Sequence, residues 1–222
     1  MKPHWYLKIL SYLYEVPIEK RHSQINGTLE VSLHRGEWKL STRNAVYSFG
    51  RFYTSYKSAF YQLDISNFQA QNLLLLGVGM GSIVQLLANH PTLREITAVD
   101  IDPVIMDLAK KYWPDNDNKF KTTFNTSDAL DWLEKHDKNQ KFDLVLADIF
   151  IDDITPERML TTHFLALLKK VLAPKGMLIY SKINYTEVHQ KINEKFDVIF
   201  QNEFPTGFTL KAKDNKIYVY RN

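Results

Sequence analysis

Residues 72–82 read NLLLLGVGMGS and residues 95–102 read EITAVDID. The first stretch begins with an unbroken apolar run, Leu73 to Leu76, as a parallel strand does when both of its faces are covered. Gly77, Gly79 and Gly81 follow at spacing two. Gly77 suits a turn at positive φ, Gly79 lets a ligand approach bare backbone, and Gly81 opens a helix with Ser82 as an extra donor. The second strand ends at Asp100, where a Rossmann-type unit places the acid that accepts from both ribose hydroxyls. A Gly-x-Gly-x-Gly run alone describes an ordinary strand-to-helix turn equally well. The acid at the end of the next strand turns it into a nucleoside site.

Outward from this unit, the pattern alternates. Strands are expected over 72–78, 95–100, about 120–125, 142–147 and 177–182, with helices over 82–89, 103–112, 128–136, 156–171 and 186–195. That alternation predicts an α/β fold with a doubly wound Rossmann-like sheet. FDVIFQNEF (196–204) and KIYVYRN (216–222) read as two strands without a helix between them, so a C-terminal antiparallel β-hairpin is expected. Ahead of the sheet, Leu29, Val31 and Leu33 alternate with polar neighbours, Arg35-Gly36 forms a turn, and Trp38 to Leu40 return. Tyr53 to Leu63 has helical spacing and links the two parts. The expected division is a small N-terminal β-rich domain over 1–65 and a nucleoside-binding domain over 66–222.

The chain has 222 residues, 45% hydrophobic and 24% charged, with a formal net charge of +3. Residues 1–70 hold nine Lys/Arg against five Asp/Glu, which reads as a solvated surface. No basic stripe interleaved with aromatics occurs, so no nucleic-acid partner is expected. The absence of cysteine removes disulfides, thiolate catalysis and Cys-ligated zinc, and the seven histidines have no metal-ligand spacing, so no metal is expected. The N-terminal segment is aromatic but broken by Lys8, Glu15 and Pro17. With neither a signal-type core nor a membrane-spanning length, no membrane association and a cytoplasmic location are expected.

Further acids fall at predicted strand ends. Asp102 precedes Pro103 and reads equally as a helix N-cap. Asp128 in NTSDALDWL suits either an N-cap or an acceptor for an adenine amino group, with the Ala129 amide as donor to a ring nitrogen. Asp148 ends the strand FDLVLAD opposite the glycine turn, where packing gives no reason for a carboxylate. Catalysis at such a cleft needs an aligned nucleophile and a group to take its proton, and Asp148 is the candidate catalytic base. Asp152 and Asp153 read as a solvated loop face. The candidate donor-binding set is Gly77, Gly79, Gly81, Asp100, Ile101, Asp128 and Ala129.

A parallel sheet closed by such a hairpin is similar to the class I S-adenosylmethionine-dependent transferases, and the third glycine sits one position too early for the dinucleotide fingerprint. GVGMGS, VDIDPVIMDLAKKYW, SDALDWL, FDLVLADIF and LTTHF…LLKKVLAPKGMLIY together resemble the spermidine synthase family of polyamine aminopropyltransferases. The resemblance implies a transferase whose donor is S-adenosylmethionine or its decarboxylated form. Asp100 would then hold the ribose, Asp128 and Ala129 the adenine, and Asp148 would activate an amine. It also implies a small-molecule acceptor and a homodimer or higher homo-oligomer. The chain departs from the family pattern in two places. Ile151 stands where the family carries a second acid, and SFGRFYTSYKSAF keeps Tyr53 but none of the family's preceding carboxylates. Methyl transfer, and a non-catalytic nucleoside-binding protein, are the alternative readings.

Overall fold

The computed structural model describes residues 3–114, 119–137 and 139–222. Its centre is a seven-stranded sheet. Five strands run parallel: β5 (Asn72–Leu76), β6 (Glu95–Asp100), β7 (Lys121–Thr126), β8 (Phe142–Ala147) and β9 (Leu172–Ile183). The hairpin β10 (Phe208–Ala212) and β11 (Asn215–Arg221) closes one edge antiparallel, giving the order β10-β11-β9-β8-β5-β6-β7. β5 therefore lies between β6 and β8, and the chain changes direction across the sheet at that point. In such sheets the ligand crevice lies outside the carboxyl ends of the strands at this switch.

The apolar run of β5 is explained by cover on both sides. Leu73 and Leu75 join Tyr56, Ala59 and Phe60 of helix α2 (Thr54–Leu63) and Ile83 of the short α3 (Ser82–Leu86). Met106 and Ala109 of α4 (Pro103–Tyr112) complete that layer. Leu74 and Leu76 face the opposite way. They meet Leu130 of α5 (Ala129–Lys135), Phe164 and Leu168 of α6 (Thr162–Val171), and Phe196 of α7 (Glu187–Glu203).

The hairpin is present, but its first strand is not the expected one. FDVIFQNEF forms the C-terminal half of α7, and the strand is FTLKA at 208–212. Phe196, Phe200 and Phe204 recur every four residues, which stacks them on one helical face, all at most 1% exposed. Phe196 and Phe200 pack on Tyr218 of β11, with ring centroids 5.0 and 5.1 Å apart. That aromatic stripe overrides the β propensity of the intervening Val198 and Ile199.

Before the central sheet, α1 (Trp5–Leu10), not anticipated in the sequence, leads into an antiparallel meander of β1 (Val16–Ser23), β2 (Gly27–His34), β3 (Glu37–Ser41) and β4 (Val46–Phe49). Leu29, Val31 and Leu40 on one face of the meander pack against Met80, Ile105, Leu108 and Tyr112. The N-terminal sheet is thus seated on the glycine turn and on α4. Among the described residues no helix is long and apolar enough to cross a membrane.

Candidate active site

A cleft of about 430 Å³ opens at the carboxyl ends of β5, β6 and β8. Of the predicted donor-site residues, Gly77, Gly79, Asp100, Ile101, Asp128 and Ala129 line it, and so does Asp148. Gly77 has φ +84°, and a Cβ there would lie 2.1 Å from the Asp148 carbonyl oxygen. Glycine is required because β8 passes that close. A Cβ on Gly79, at φ +53°, would lie 2.7 Å from the Tyr47 carbonyl oxygen of β4. The second glycine thus admits the backbone of the N-terminal sheet as well as exposing its own backbone to the cleft. Gly81 faces away from the cleft and packs on Trp113 and Pro114. Ser82 lines the cleft, but its hydroxyl is shared with Ser48 at 2.6 Å and accepts from the Phe49 amide at 2.8 Å.

The two acids after β6 have different surroundings. Asp100 accepts from the Val78 amide at 2.9 Å and from the Asp102 amide at 3.0 Å. Burial, with the Asp102 charge beside it, pushes its carboxyl up to about 6 against the pull of those two donors and of the Gly79 amide. A carboxylate has about four acceptor positions, so Asp100 retains capacity toward the cleft. Asp102 is fully buried and caps α4 through the Val104 amide at 2.8 Å. Its other oxygen accepts from Ser23 and, at 2.6 Å, from Asn26 Nδ2 at the β1–β2 turn. The cap reading is the one the structure realises for Asp102.

Asp128 combines a cap with an open side. Its Oδ1 accepts from the Leu130 amide at 2.9 Å and the Asp131 amide at 3.2 Å, capping α5. Its Oδ2 lies 3.4 Å from Arg158, which also holds Asp131 at 2.7 Å.

Asp148 sits just past β8, its amide bonded to the Leu76 carbonyl at 2.8 Å. Its Oδ2 accepts from the Tyr53 hydroxyl at 2.5 Å, while Oδ1 is buried with no hydrogen bond of good geometry among the described residues. Burial pushes the carboxyl up to about 6, and the hydroxyls of Tyr53 and Ser181 beside it work in the opposite direction. Tyr53 precedes α2 and lies parallel to Tyr56 with ring centroids 6.1 Å apart. The Tyr56 hydroxyl in turn donates to the Ala147 carbonyl at 3.1 Å, so the start of α2 is fixed against the end of β8.

The loop after β8 makes a tight turn in which Ile151 and Ile154 exchange backbone bonds at 2.9 and 3.2 Å, with Asp152 at φ +55°. The Asp152 carboxylate accepts from Thr42 and Asn44 on the β3–β4 connection, both at 2.5 Å, and its amide donates to the Tyr47 hydroxyl. Burial raises its carboxyl, but the Thr42 and Asn44 bonds prevail and hold it below the ordinary aspartate value. Asp153 accepts from the Tyr185 hydroxyl at 3.3 Å and lies 3.7 Å from His189. Neither acid is the freely solvated loop residue expected.

Several lining residues were not singled out in the sequence: Tyr47, Arg158, Tyr185, Asp214 and Asn215. None belongs to a short motif, and each reaches the cleft from a distant element. Among the described lining residues there are five aspartates against a single arginine, so the cleft favours cationic ligands.

The Spermine/spermidine synthase domain profile matches residues 55–211. The probable polyamine aminopropyl transferase of Bifidobacterium longum (strain NCC 2705) is 30% identical over 144 residues, covering 64% of this chain and 31% of that protein. The chain spans less than two thirds of the length of the curated relatives it matches. A probable spermidine synthase from Corynebacterium glutamicum superposes with a TM-score of 0.69 at 17% identity, covering 92% of this chain and 79% of that one. A spermidine synthase in complex with the transition state analogue AdoDATO superposes with a TM-score of 0.67 at 13% identity, covering 93% of this chain and 73% of that one. The two superpositions share the Rossmann-like fold. The domain match, running from the first turn of α2 into the terminal hairpin over more than half of the sequence, makes this chain a member of the spermine/spermidine synthase family.

Proposed function

We propose that the cleft binds decarboxylated S-adenosylmethionine and transfers its aminopropyl group to an amine, with Asp148 as the base. The observation that carries this reading is the Asp148 carboxylate, which lines the cleft, has one oxygen held by Tyr53 and is pushed up by burial to about 6. In the reaction the amine nitrogen bonds to the donor's alkyl carbon as the carbon–sulfur bond breaks, and sulfur leaves as a neutral thioether. Asp148 takes the proton that the entering ammonium must lose. Its raised pKa suits that task near neutral pH, since a base works best when its own pKa approaches the working pH.

The lining supports a placement of the donor on the expected residues. Asp100 receives the ribose hydroxyls, Ile101 lies against the base, and Asp128 with the Ala129 amide reads its edge. Gly77 and Gly79 let the donor approach bare backbone. Gly81 supports the turn by packing. The acid excess favours a donor bearing an ammonium and a sulfonium. The intact donor's carboxylate would need a cation, and the single lining arginine is already engaged by Asp128 and Asp131. The names of the relatives accord with this reading, as does the AdoDATO complex of the structural neighbour.

Calorimetric titration with S-adenosylmethionine, decarboxylated S-adenosylmethionine and methylthioadenosine tests it. Tighter binding of the last two is expected. Preference for the intact donor would redirect the assignment to methyl transfer, and absence of binding would leave a non-catalytic protein. Asp148→Asn should lower turnover by about 10²–10⁴-fold, the usual contribution of a general base, with nucleoside affinity retained. An unchanged rate would remove the base assignment.

A further inference from the structure

We infer that the acceptor is a primary monoamine with an apolar body, an alkylamine or arylalkylamine, and not a diamine. The inference rests on the transferase reading above and concerns the half of the cleft beyond Asp148. That half is walled by the turn after β8, the β3–β4 connection and the segment after β9. Ile151 (37% exposed), Val46 (44%) and Tyr185 (52%) all line it. Large apolar side chains left open to solvent within a cleft mark a surface that an apolar ligand covers.

The acids that would hold a second ammonium are spent elsewhere. Asp152 is turned onto Thr42 and Asn44, which leaves its charge satisfied by protein donors. Asp153 is tied to Tyr185 and His189. Asp214, at the β10–β11 turn, has a side chain 60% exposed and 3.9 Å from Lys213, so it gives a distant ammonium only a screened surface contact. Asp148 offers a single carboxylate on this side, already shared with Tyr53, matched to one amine. The backbone exchange between Ile151 and Ile154 fixes the turn, and Ile151 is held as part of the wall. A diamine bound here would press its far ammonium against Ile151 and Val46 and desolvate it without a partner.

The test is equilibrium binding on the full chain, first with methylthioadenosine alone and then, at saturation, with hexylamine, 2-phenylethylamine and 1,4-diaminobutane. The two monoamines should bind at least tenfold more tightly than the diamine. Ile151→Asp should reverse that order while leaving methylthioadenosine affinity within twofold of the parent. If methylthioadenosine binds and the diamine matches or exceeds the monoamines, the acceptor inference is overturned while the transferase reading stands. Failure of every amine to bind the loaded protein overturns it equally. An Ile151→Asp variant that binds methylthioadenosine normally but keeps the parent ranking shows that this wall does not set the choice. If methylthioadenosine itself fails to bind, the donor reading falls first and takes the acceptor with it.

Discussion

Replacing Tyr53 by Phe removes the hydroxyl that donates to Asp148 at 2.5 Å and leaves the ring in place beside Tyr56. The lost bond is charge-assisted and favours the ionised carboxylate, so its removal must raise the carboxyl's pKa. A hydrogen bond to a charged group contributes about 1.5–3 kcal/mol. At about 1.36 kcal/mol per pKa unit that is a rise of roughly one to two units. Asp148, at about 6 in the parent, is then expected to titrate near 7 to 8. The carboxyl carbon of Asp148, followed by NMR across pH 4 to 9, reads this directly and needs no substrate. Transfer rates should show the same displacement, the limb on which the base becomes deprotonated moving to higher pH by the same interval. Stability supplies an independent check. A carboxyl whose folded pKa exceeds the unfolded 3.8 binds more protons in the folded state, so it favours folding at low pH and loses that contribution as pH rises through the folded value. In the parent this loss falls between about 4 and 6, and in the Phe variant it should extend past 7. A Phe variant whose Asp148 titrates at or below 6 would refute the argument.

Asp100→Ala should weaken nucleoside binding by about 1.5–3 kcal/mol if the ribose is held there, and equal affinity in calorimetry would place the ribose elsewhere. Asp102→Ala should lower stability by about 2–4 kcal/mol in urea melts, through loss of the α4 cap and of the acceptor for Ser23 and Asn26. A change below 0.5 kcal/mol, the scale of ordinary surface substitutions, would count against it. Lys182, 2% exposed, with its ammonium position over the Phe196 ring and no hydrogen-bond partner among the described residues, is pushed by burial from 10.5 down to about 7 against the pull of Asp197. The unfolded chain binds the extra proton between those values, so this lysine's cost to folding is greatest below pH 7 and vanishes above 10.5. Lys182→Met should therefore stabilise the protein more at pH 7 than at pH 10, and equal stabilisation at both would contradict the burial argument.

The crossover around β5 was legible because its signals are local. Four consecutive leucines, a turn that only glycine tolerates at Gly77, and an acid closing the next strand all lie within thirty residues. The second half of α7 was not, since FDVIF has β-forming residues and its four-residue aromatic spacing gains meaning only against Tyr218, from another element. The acids divide the same way. Sequence placed Asp100, Asp102, Asp128 and Asp148 at strand ends, but whether each caps a helix or faces a ligand depends on which donors arrive from elsewhere. Asp102 is claimed by Ser23 and Asn26, some eighty residues earlier. The capture of Asp152 by Thr42 and Asn44 has no trace in the local sequence at either end.

The close seating of β4 on the glycine turn bears on how this scaffold can be altered. Gly79 touches the Tyr47 backbone, Ser82 is bonded to Ser48 and Phe49, and Asp152 is moored to Thr42 and Asn44. The matched family span begins at Ser55, so every one of these N-terminal partners, and Tyr53 itself, lies outside it. A fragment trimmed to that span would keep the strand ends at the cleft yet forfeit one of its walls. By the same geometry, the first fifty-four residues are not a detachable module: exchanging that segment between relatives would disturb the glycine turn and the α4 cap together with the wall it supplies.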